Sequence, residues 1–231
     1  MRAVTNNLLL AQLGTAERRA LLAGTQPVTL RAGEPIFDVG KLVARVIFPI
    51  ECSVSLMSCS AGQPLVEAGL IGREGMLGLS LLFGVSVSAF RAVVQGPGRA
   101  WCLEPTHFTA QLAHNAALRQ RLHRYVYVRL LQLAQSSACM GIHRIEGRLA
   151  RWLLMSRDRA RSGELALTHE ELASILGVRR AGVTIAASAL QERGLIRYAR
   201  GHIEVLDDFG LEAAACPCYT NEIKIYARLM R

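Results

Sequence analysis

Residues 167–206 of this chain read LTHEELASILGVRRAGVTIAASALQERGLIRYARGHIEVL and predict two short helices, a turn and a hairpin. Thr168 can cap the first helix, and Glu171 three residues later completes a capping box. Leucine and isoleucine recur at helical spacing, which gives this helix one apolar face. Gly177 supplies the turn between the two helices, and Val178 packs them against each other.

The second helix is expected to begin near Arg179 and to end at Gly194, a favourable C-cap residue. Its apolar residues face inward, which leaves long cationic side chains exposed near its N-terminal end. Such side chains can reach phosphates and base edges in the major groove of DNA. Residues 195–198 and 203–206 alternate like strands around a basic turn and predict a wing. The candidate DNA contacts are Thr168, Arg179, Arg180, Thr184, Arg200 and His202.

This segment resembles the winged helix-turn-helix of the Crp/Fnr family of transcription regulators. Residues 33–37 and Gly40 resemble the start of the family's effector-domain β-roll, and residues 71–79 resemble its glycine-rich ligand-site turn. The resemblance implies an α+β fold with a cyclic-nucleotide-binding-like β-roll, which is a double-stranded, jelly-roll-like unit. A long dimerisation helix and a C-terminal winged helix-turn-helix should follow. The DNA-binding motif matches at Thr168, Glu170, Glu171, Leu172, Gly177, Val178, Arg180, Val183, Leu190, Gly194, Leu195 and Ile196.

The order of the predicted elements divides the chain into three parts. Short β-type runs broken by glycine and proline between residues 28 and 103 predict an all-β barrel or jelly roll. Residues 106–138 predict an almost unbroken helix, residues 140–142 interrupt it as a hinge, and residues 144–157 predict another helix. We therefore expect an effector β-roll at residues 1–111, a dimerisation helix and hinge at residues 112–142, and a DNA-binding domain at residues 143–231.

A narrow apolar stripe on the long helix predicts a homodimer. Three leucines and a valine stand at i, i+4, i+8 and i+11, close to the spacing of a coiled-coil seam. A stripe so narrow suits pairing with a second copy, and the alternative is that it packs on the chain's own β-roll. The expected interface residues are Leu122, Val126, Leu130 and Leu133.

The charge distribution favours a polyanionic partner. The formal net charge is +9, and residues 115–161 contain ten arginines against Glu146 and Asp158. A basic middle region suits a face that binds nucleic acid. No secretion signal is recognisable, and no charge-free run is long enough to span a membrane. We therefore expect a cytoplasmic protein in which the six cysteines form no disulfides.

The base-reading positions depart from the family pattern. After the first arginine of the recognition helix, Arg180, family members usually carry a glutamate one position later and an arginine five positions later. This chain has Ala181 and Ile185 there. DNA binding is still expected because phosphate contacts dominate affinity, but the operator sequence must differ from those of the relatives.

The effector site departs from the family pattern as well. Cyclic-nucleotide-binding members hold the phosphate with an Arg-Ser or Arg-Thr pair, and this chain has Val87 and Ser88 at the aligned positions. A buried phosphate without that arginine would lack its main charge partner. We therefore do not expect cyclic AMP as the effector, which stays unidentified. The tentative effector-binding residues are Gly72, Glu74, Gly75, Val87, Ser88 and Arg91.

Cofactor and catalytic patterns are weak. The family's iron–sulfur members need an N-terminal cysteine cluster, but the first 51 residues contain no cysteine, so no such cluster is expected. Cys216 and Cys218 could bind metal or act as a redox switch, but no second Cys/His pair at zinc spacing is evident, so no metal site is assigned. Whether one of the dispersed histidines binds haem stays an open question.

An enzyme is not expected, because the sequence shows no Ser-His-Asp order, no P-loop and no paired carboxylates.

The resemblance implies a homodimeric, sequence-specific transcription regulator that an effector controls allosterically through the β-roll. Its implied partners are a palindromic double-stranded DNA operator, a second copy of the chain, RNA polymerase and a small-molecule effector. One alternative is a regulator that senses thiol oxidation or metal through Cys216 and Cys218. A second alternative is an interaction module whose helix-turn-helix contacts protein and not DNA. A third is that the two helices form a helical hairpin of an enzyme, with the arginines on a solvent-exposed face.

Overall fold

The computed structural model describes residues 6–58, 65–160 and 164–231. Its helices are α1 (Leu8–Ala11), α2 (Thr15–Leu22), α3 (Pro105–His114), α4 (Ala116–Ile142), α5 (Ile145–Ala160), α6 (His169–Leu176), α7 (Arg180–Glu192), α8 (Asp208–Ala214) and α9 (Cys218–Leu229), with a short 3-10 helix at Leu79–Phe83. Its strands are β1 (Thr25–Leu30), β2 (Pro35–Phe37), β3 (Val46–Pro49), β4 (Ser53–Ser58), β5 (Val66–Ile71), β6 (Arg91–Gly96), β7 (Gly98–Leu103), β8 (Glu164–Ala166), β9 (Ile196–Ala199) and β10 (His202–Val205).

The first seven strands form the predicted β-roll, which confirms the expected fold class. They make two antiparallel sheets, with strand order β2-β6-β4-β5 in one and β1-β7-β3 in the other. Strand residues such as Phe48, Val54 and Leu103 lie between the sheets in one continuous apolar core. This core also includes residues of α1, α3 and α4, so the long helix is anchored on the β-roll.

The long helix begins later and ends later than the sequence predicts: it spans Ala116–Ile142 and not residues 106–138. It is broken at Asn115, whose side-chain oxygen accepts a hydrogen bond from the Leu118 amide at 2.8 Å and caps α4. Residues 140–142 are helical, so the predicted hinge there is wrong. The break lies at His143, whose backbone is extended at ψ 144°. Gly141 is tolerated within the last turn, because a glycine weakens a helix by only about 1 kcal/mol.

The apolar stripe of α4 divides between two environments, which corrects the expected dimer seam. Leu122 is fully buried in the chain's own core. Val126 is half-buried, and Leu130 and Leu133 are 58% and 38% exposed. A helix turns by about 100° per residue, so Leu130 lies about 80° around the helix from Leu122. Leu122 therefore packs on the chain's own β-roll, which was the alternative to a dimer seam. Only the later residues of the stripe remain exposed for contact with a partner.

The C-terminal domain has a second apolar core. It is built from α5, α6, α7 and α8 and from the three-stranded sheet β8-β10-β9.

Among the described helices, no single one is long and apolar enough to cross a membrane. Only α6 and α7 taken together, which are bent by 105° relative to each other, have the length and composition of a membrane span.

A buried ionic cluster joins this domain to the β-roll. Arg159 of α5 donates from Nε to Glu74 Oε1 at 2.9 Å and from Nη2 to Glu222 Oε1 at 2.6 Å. Arg151 Nη2 lies 3.0 Å from Glu222 Oε2. Gln132 of α4 donates to Glu222 Oε1 at 3.0 Å. Because Glu74 follows β5 and Glu222 lies on α9, this one cluster fixes four parts of the chain to one another.

The pKa values within the cluster show that its charges are compensated. Burial by itself lowers the pKa of Arg159, but the carboxylates of Glu74 and Glu222 outweigh burial and raise the pKa. Burial by itself raises the pKa of Glu222, but Arg159 and Arg151 outweigh burial and lower the pKa. Both groups therefore stay ionised inside the protein, and each depends on the other's charge.

Replacing Arg159 by leucine should lower the free energy of unfolding by about 3–5 kcal/mol, because Glu74 and Glu222 then lose a buried partner. Urea denaturation of the purified protein measures this change. Arg193→Leu is the matched control: its exposed pair with Glu146, 2.7 Å long, should contribute no more than about 1 kcal/mol. Equal losses in the two variants would contradict a structural role of the cluster.

Candidate functional site

The first helix of the predicted DNA-binding motif begins as expected. Thr168 Oγ1 accepts a hydrogen bond from the Glu171 amide at 3.2 Å, and Glu171 Oε2 accepts one from the Thr168 amide at 2.7 Å. This reciprocal pair is the predicted capping box. The helix ends at Leu176 and is capped by Gly177, whose φ of 63° is in the left-handed region that favours glycine. The turn therefore starts where the sequence predicts it.

The second helix, α7, presents a basic N-terminal end. Its apolar face is buried against α5 and α6 through Val183, Ala186, Ala187 and Leu190. Arg179 is the N-cap residue and Arg180 is the first helical residue, and both are exposed. Thr184 and Ile185 are exposed one turn later, with Ile185 at 72%. A rigid core thus holds two guanidinium groups, one hydroxyl and one apolar side chain at the protein surface.

His169 and Tyr198 support this surface, although neither is predicted from the sequence as a site residue. Thr184 Oγ1 lies 2.9 Å from His169 Nδ1. The His169 ring stacks on Tyr198 at 4.5 Å between centroids. Tyr198 in turn donates from its hydroxyl to the Leu167 carbonyl at 3.0 Å. Burial and the nearby Arg180 lower the pKa of His169, which favours a neutral ring. Only folding brings these residues together, so spacing gives no signal for them.

The predicted wing is confirmed as the antiparallel pair β9 and β10. Arg200, at its tip, has a φ of 53° and is exposed, and Gly201 follows at 79°. His202 is exposed at the start of β10, opposite Ala166 of β8. Within the described part of the chain, Arg179, Arg180 and Arg200 form no ion pair. Their charges are therefore available to a polyanion.

The tentative effector residues do not converge on one site. The turn at residues 72–75 packs against α5 and α9. A Cβ on Gly72 would stand 2.3 Å from Arg159 Cβ, and Glu74 Oε1 accepts from the Gly72 amide at 3.1 Å as well as from Arg159. The Glu74 carbonyl accepts from the Tyr226 hydroxyl at 2.7 Å. The Glu74 carboxylate is thus engaged in the ionic cluster.

Gly75, at the end of this turn, contacts α4, and the other three predicted effector residues lie outside the turn. A Cβ on Gly75 would stand 1.8 Å from the Tyr125 hydroxyl of α4, so this glycine allows a close approach of the helix. Ser88 is buried and its Oγ donates to the Phe90 carbonyl at 2.8 Å. Val87 and Arg91 are exposed. Only Ser88 of the six lines the β-roll cavity described next.

A mainly apolar cavity of about 250 Å³ lies between the β-roll and α4. Ser88 lies in its wall, and α4 contributes Leu133 and Arg129. Arg129 donates to Gln132 Oε1 at 2.7 Å. The cavity is also lined by Phe37, Val43, Leu56, Ile71, Met76 and Phe90.

Three cysteines and a histidine meet at the end of α4. Each of Cys139, His143, Cys216 and Cys218 offers one ligand atom, and these four atoms lie within 4.8 Å of one another. A hydrogen bond from Cys216 lowers the pKa of Cys139, although burial opposes this. The five cysteines of the described residues are free thiols, and Cys59 lies outside those residues.

Cys216 and Cys218 are evident as a pair in the sequence, whereas their meeting with Cys139 and His143 is not. Cys139 and His143 stand four residues apart, a spacing at which two helical residues can hold one metal, although His143 itself lies in the extended break after α4. They are more than 70 residues away from Cys216 along the chain. The spacing was therefore available as a signal, but the contact with Cys216 depends on how α8 and α9 fold back.

Comparisons with known proteins agree with this architecture. Residues 147–214 match the Crp-like helix-turn-helix domain. A putative Crp/Fnr regulator from Eubacterium rectale is 18% identical, with a TM-score of 0.64 over 90% of this chain and 97% of that one. A CRP-family regulator from Thermus thermophilus is 20% identical, with a TM-score of 0.66 over 81% of this chain and 96% of that one.

The fold also occurs in a regulator with a named signal. The global regulator CLP of Xanthomonas campestris, described as responsive to c-di-GMP, is 15% identical, with a TM-score of 0.65 over 84% of this chain and 100% of that one. No curated protein matches this sequence. Residues 147–214 of this chain are thus similar to a Crp-like helix-turn-helix domain, and the chain as a whole shares its fold with solved regulators of the Crp/Fnr family.

Proposed function

We propose that this chain is a transcription regulator of the Crp/Fnr type, which binds DNA as a homodimer and reads sequence with the N-terminal end of α7. The observation that carries the proposal is the exposed group formed by Arg179, Arg180 and Thr184 on a helix whose opposite face is buried. A helix in the major groove reads bases with the side chains near its N-terminus. The wing residues Arg200 and His202 would contact the adjacent backbone, and Thr168 the phosphate near α6. The protein would act in the cytoplasm, where the DNA lies.

The individual roles follow from side-chain chemistry. Arg180 can form two hydrogen bonds with the O6 and N7 atoms of a guanine, whereas Arg179, just outside the helix, suits a phosphate. Ala181 offers no hydrogen bond. Ile185, which is 72% exposed, can contact a thymine methyl group. The operator should therefore differ from those of relatives with polar residues at these two positions.

Arg180→Ala should weaken binding to a DNA site selected by the wild-type protein by about 1–3 kcal/mol and relax the preference at one base pair. Arg179→Ala should weaken binding to all sequences alike and reduce the salt slope by about 1. Salt-titrated fluorescence anisotropy measures both effects. Arg31→Ala, which removes an exposed arginine from the β-roll, is the control and should bind normally. Wild-type affinity in both α7 variants would refute the assignment of the recognition helix.

The proposed dimer face is the part of the α4 stripe that the chain's own core leaves uncovered. Val126, Leu130, Leu133 and Met140 follow one another at heptad-like steps of four, three and seven residues. Leu130, Leu133 and Met140 are exposed, and Val126 is half-buried. Two parallel copies of α4 would cover these residues and place the two α7 helices around a two-fold axis. A second copy is therefore the partner that this face supports.

Leu130→Glu combined with Met140→Glu should convert the dimer to a monomer, because each apolar side chain contributes about 1.5–3 kcal/mol when buried. Analytical ultracentrifugation measures the mass. Phe209→Glu is the control, since it removes an exposed apolar residue from α8 and not from α4. A monomeric wild-type protein, or a double variant that stays dimeric, would contradict the proposed interface.

We further propose that the β-roll cavity binds a small, mainly apolar effector. Phenylalanine, leucine, isoleucine and methionine form most of its wall, and the α4 residues Arg129 and Leu133 would transmit occupancy to the dimer helix. Such coupling changes DNA binding only if the effector binds more tightly to one arrangement of α4 than to another.

Contact with RNA polymerase stays a prediction that rests on the family resemblance.

Isothermal titration calorimetry with cyclic AMP and cyclic GMP should detect no binding. Val87 stands where family members place the phosphate-binding arginine, and Arg91 is exposed outside the cavity. Loss of that charge partner should weaken cyclic-nucleotide affinity by orders of magnitude. Binding at micromolar concentration that disappears in Arg91→Ala or Arg129→Ala would show that a nucleotide is the effector.

A further inference from the structure

The cysteine–histidine cluster has the dimensions of a mononuclear metal site. Tetrahedral zinc binds sulfur at about 2.3 Å and nitrogen at about 2.0–2.1 Å, so its ligand atoms stand about 3.5–3.8 Å apart. In this structure Cys139 Sγ and Cys216 Sγ are 3.6 Å apart, and Cys218 Sγ and His143 Nδ1 are also 3.6 Å apart. The remaining ligand pairs lie within 4.8 Å. Small side-chain rotations would complete the tetrahedron.

The geometry and ligand types argue against other occupants. The sulfur separation of 3.6 Å is well beyond the length of a disulfide, about 2.05 Å. An iron–sulfur cluster binds its cysteines through different iron atoms, which requires ligands spread around several atoms and not around one point. Magnesium and calcium prefer oxygen ligands, whereas thiolate and imidazole select zinc and similar ions.

We propose that Cys139, His143, Cys216 and Cys218 bind one zinc ion in a closed tetrahedral Cys3His site. On binding, each cysteine gives up its thiol proton to the solvent, and the imidazole binds through Nδ1 in its neutral form. The site is independent of the DNA-binding assignment, because none of its four ligands lies on α6, α7 or the wing.

Neighbouring residues hold the two halves of the site in place. The Cys216 amide donates to the Gly147 carbonyl at 3.0 Å, which ties the segment between α8 and α9 to the first turns of α5. Gln135 of α4 donates from Nε2 to the Cys218 carbonyl at 2.6 Å. A Cβ on Gly147 would stand 3.3 Å from the Cys216 amide nitrogen, so this glycine permits the close approach. The ligands are thus brought together by contacts that do not involve metal.

The charge of the surroundings also suits such a site. Three thiolates, one neutral imidazole and one Zn²⁺ ion carry a net charge of −1. Arg148 is only 8% exposed and donates to the Leu176 carbonyl, yet no carboxylate within the described residues forms an ion pair with it. Burial lowers the pKa of Arg148, and thiolates at Cys139 and Cys216 would act in the opposite direction. A zinc–thiolate centre would therefore supply the counter-charge that this buried guanidinium lacks.

The ligands come from both sides of the break between α4 and α5. Cys139 lies in the last turns of α4, His143 stands at the break itself, and the other two ligands precede and begin α9. A bound ion would therefore join the end of the long helix to the C-terminal segment. Metal removal should loosen this junction and lower the thermal stability of the whole chain, since ligand binding to the folded state stabilises it.

Metal analysis of the full-length, reduced protein tests the proposal. We expect about one zinc per chain by mass spectrometry. After chelation, Co²⁺ should produce the visible absorption of tetrahedral thiolate-bound cobalt, and Zn²⁺ should abolish it. A folded, reduced protein that binds neither ion would overturn the proposal. So would several irons per chain with the absorption of an iron–sulfur cluster.

Variants then locate the ion. Cys218→Ser and His143→Gln, at partly exposed positions, should each weaken metal affinity by at least about 100-fold, because even the loss of a residue that only orients a ligand costs about 10–100-fold. Cys102→Ser, at a half-buried cysteine of β7, is the matched control and should keep full affinity. Unchanged affinity in both ligand variants, or loss of metal in the control, would contradict the assignment. Circular dichroism confirms that each variant is folded.

Discussion

Arg159 lies where the β-roll, α5 and α9 meet, and its guanidinium is almost fully removed from water. It is held by two carboxylates, Glu74 and Glu222, and Glu222 is also bound by Arg151 and Gln132. Buried ion pairs add little net stability, because desolvation offsets the attraction, but removing one partner is costly. Such a cluster therefore favours one arrangement of its neighbours over others. The position of the DNA-binding domain relative to the long helix depends on it.

The proposed DNA-binding surface combines apolar packing and exposed charge in one helix. Val183, Ala186 and Leu190 fix α7 on the second core, so Arg179 and Arg180 are presented by a rigid element and not by a loop. Thr184, His169 and Tyr198 connect α7 to α6 and to the wing. The proposed zinc site would act where α4 stops and α5 begins, a junction that packs near the turn between α6 and α7. The two proposed sites would give this junction two separate inputs: the β-roll cavity through α4, and the metal site.

Local signals allowed the fold, including the two helices of the helix-turn-helix and the wing, to be predicted from sequence. The capping box of Thr168 and Glu171, the turn at Gly177 and the wing around Arg200 each depend on neighbouring residues, so spacing alone reveals them. Contacts between distant segments could not be found in this way. The stripe of α4 gives no sign that Leu122 packs on its own β-roll, and the pairing of Glu74 with Arg159 depends on α5 folding back over the turn. Cys139 and His143 show helical ligand spacing, but only the tertiary fold brings them to Cys216 and Cys218.

The central claim is that two copies of this chain read DNA symmetrically through α7. Genome-wide footprinting of the wild-type protein tests it most directly, because protected sites reveal both base preference and symmetry. The account predicts palindromic sites whose half-sites are one helical turn apart, about 34–36 Å between centres. Protection of single asymmetric sites, or protection without any shared sequence, would contradict it.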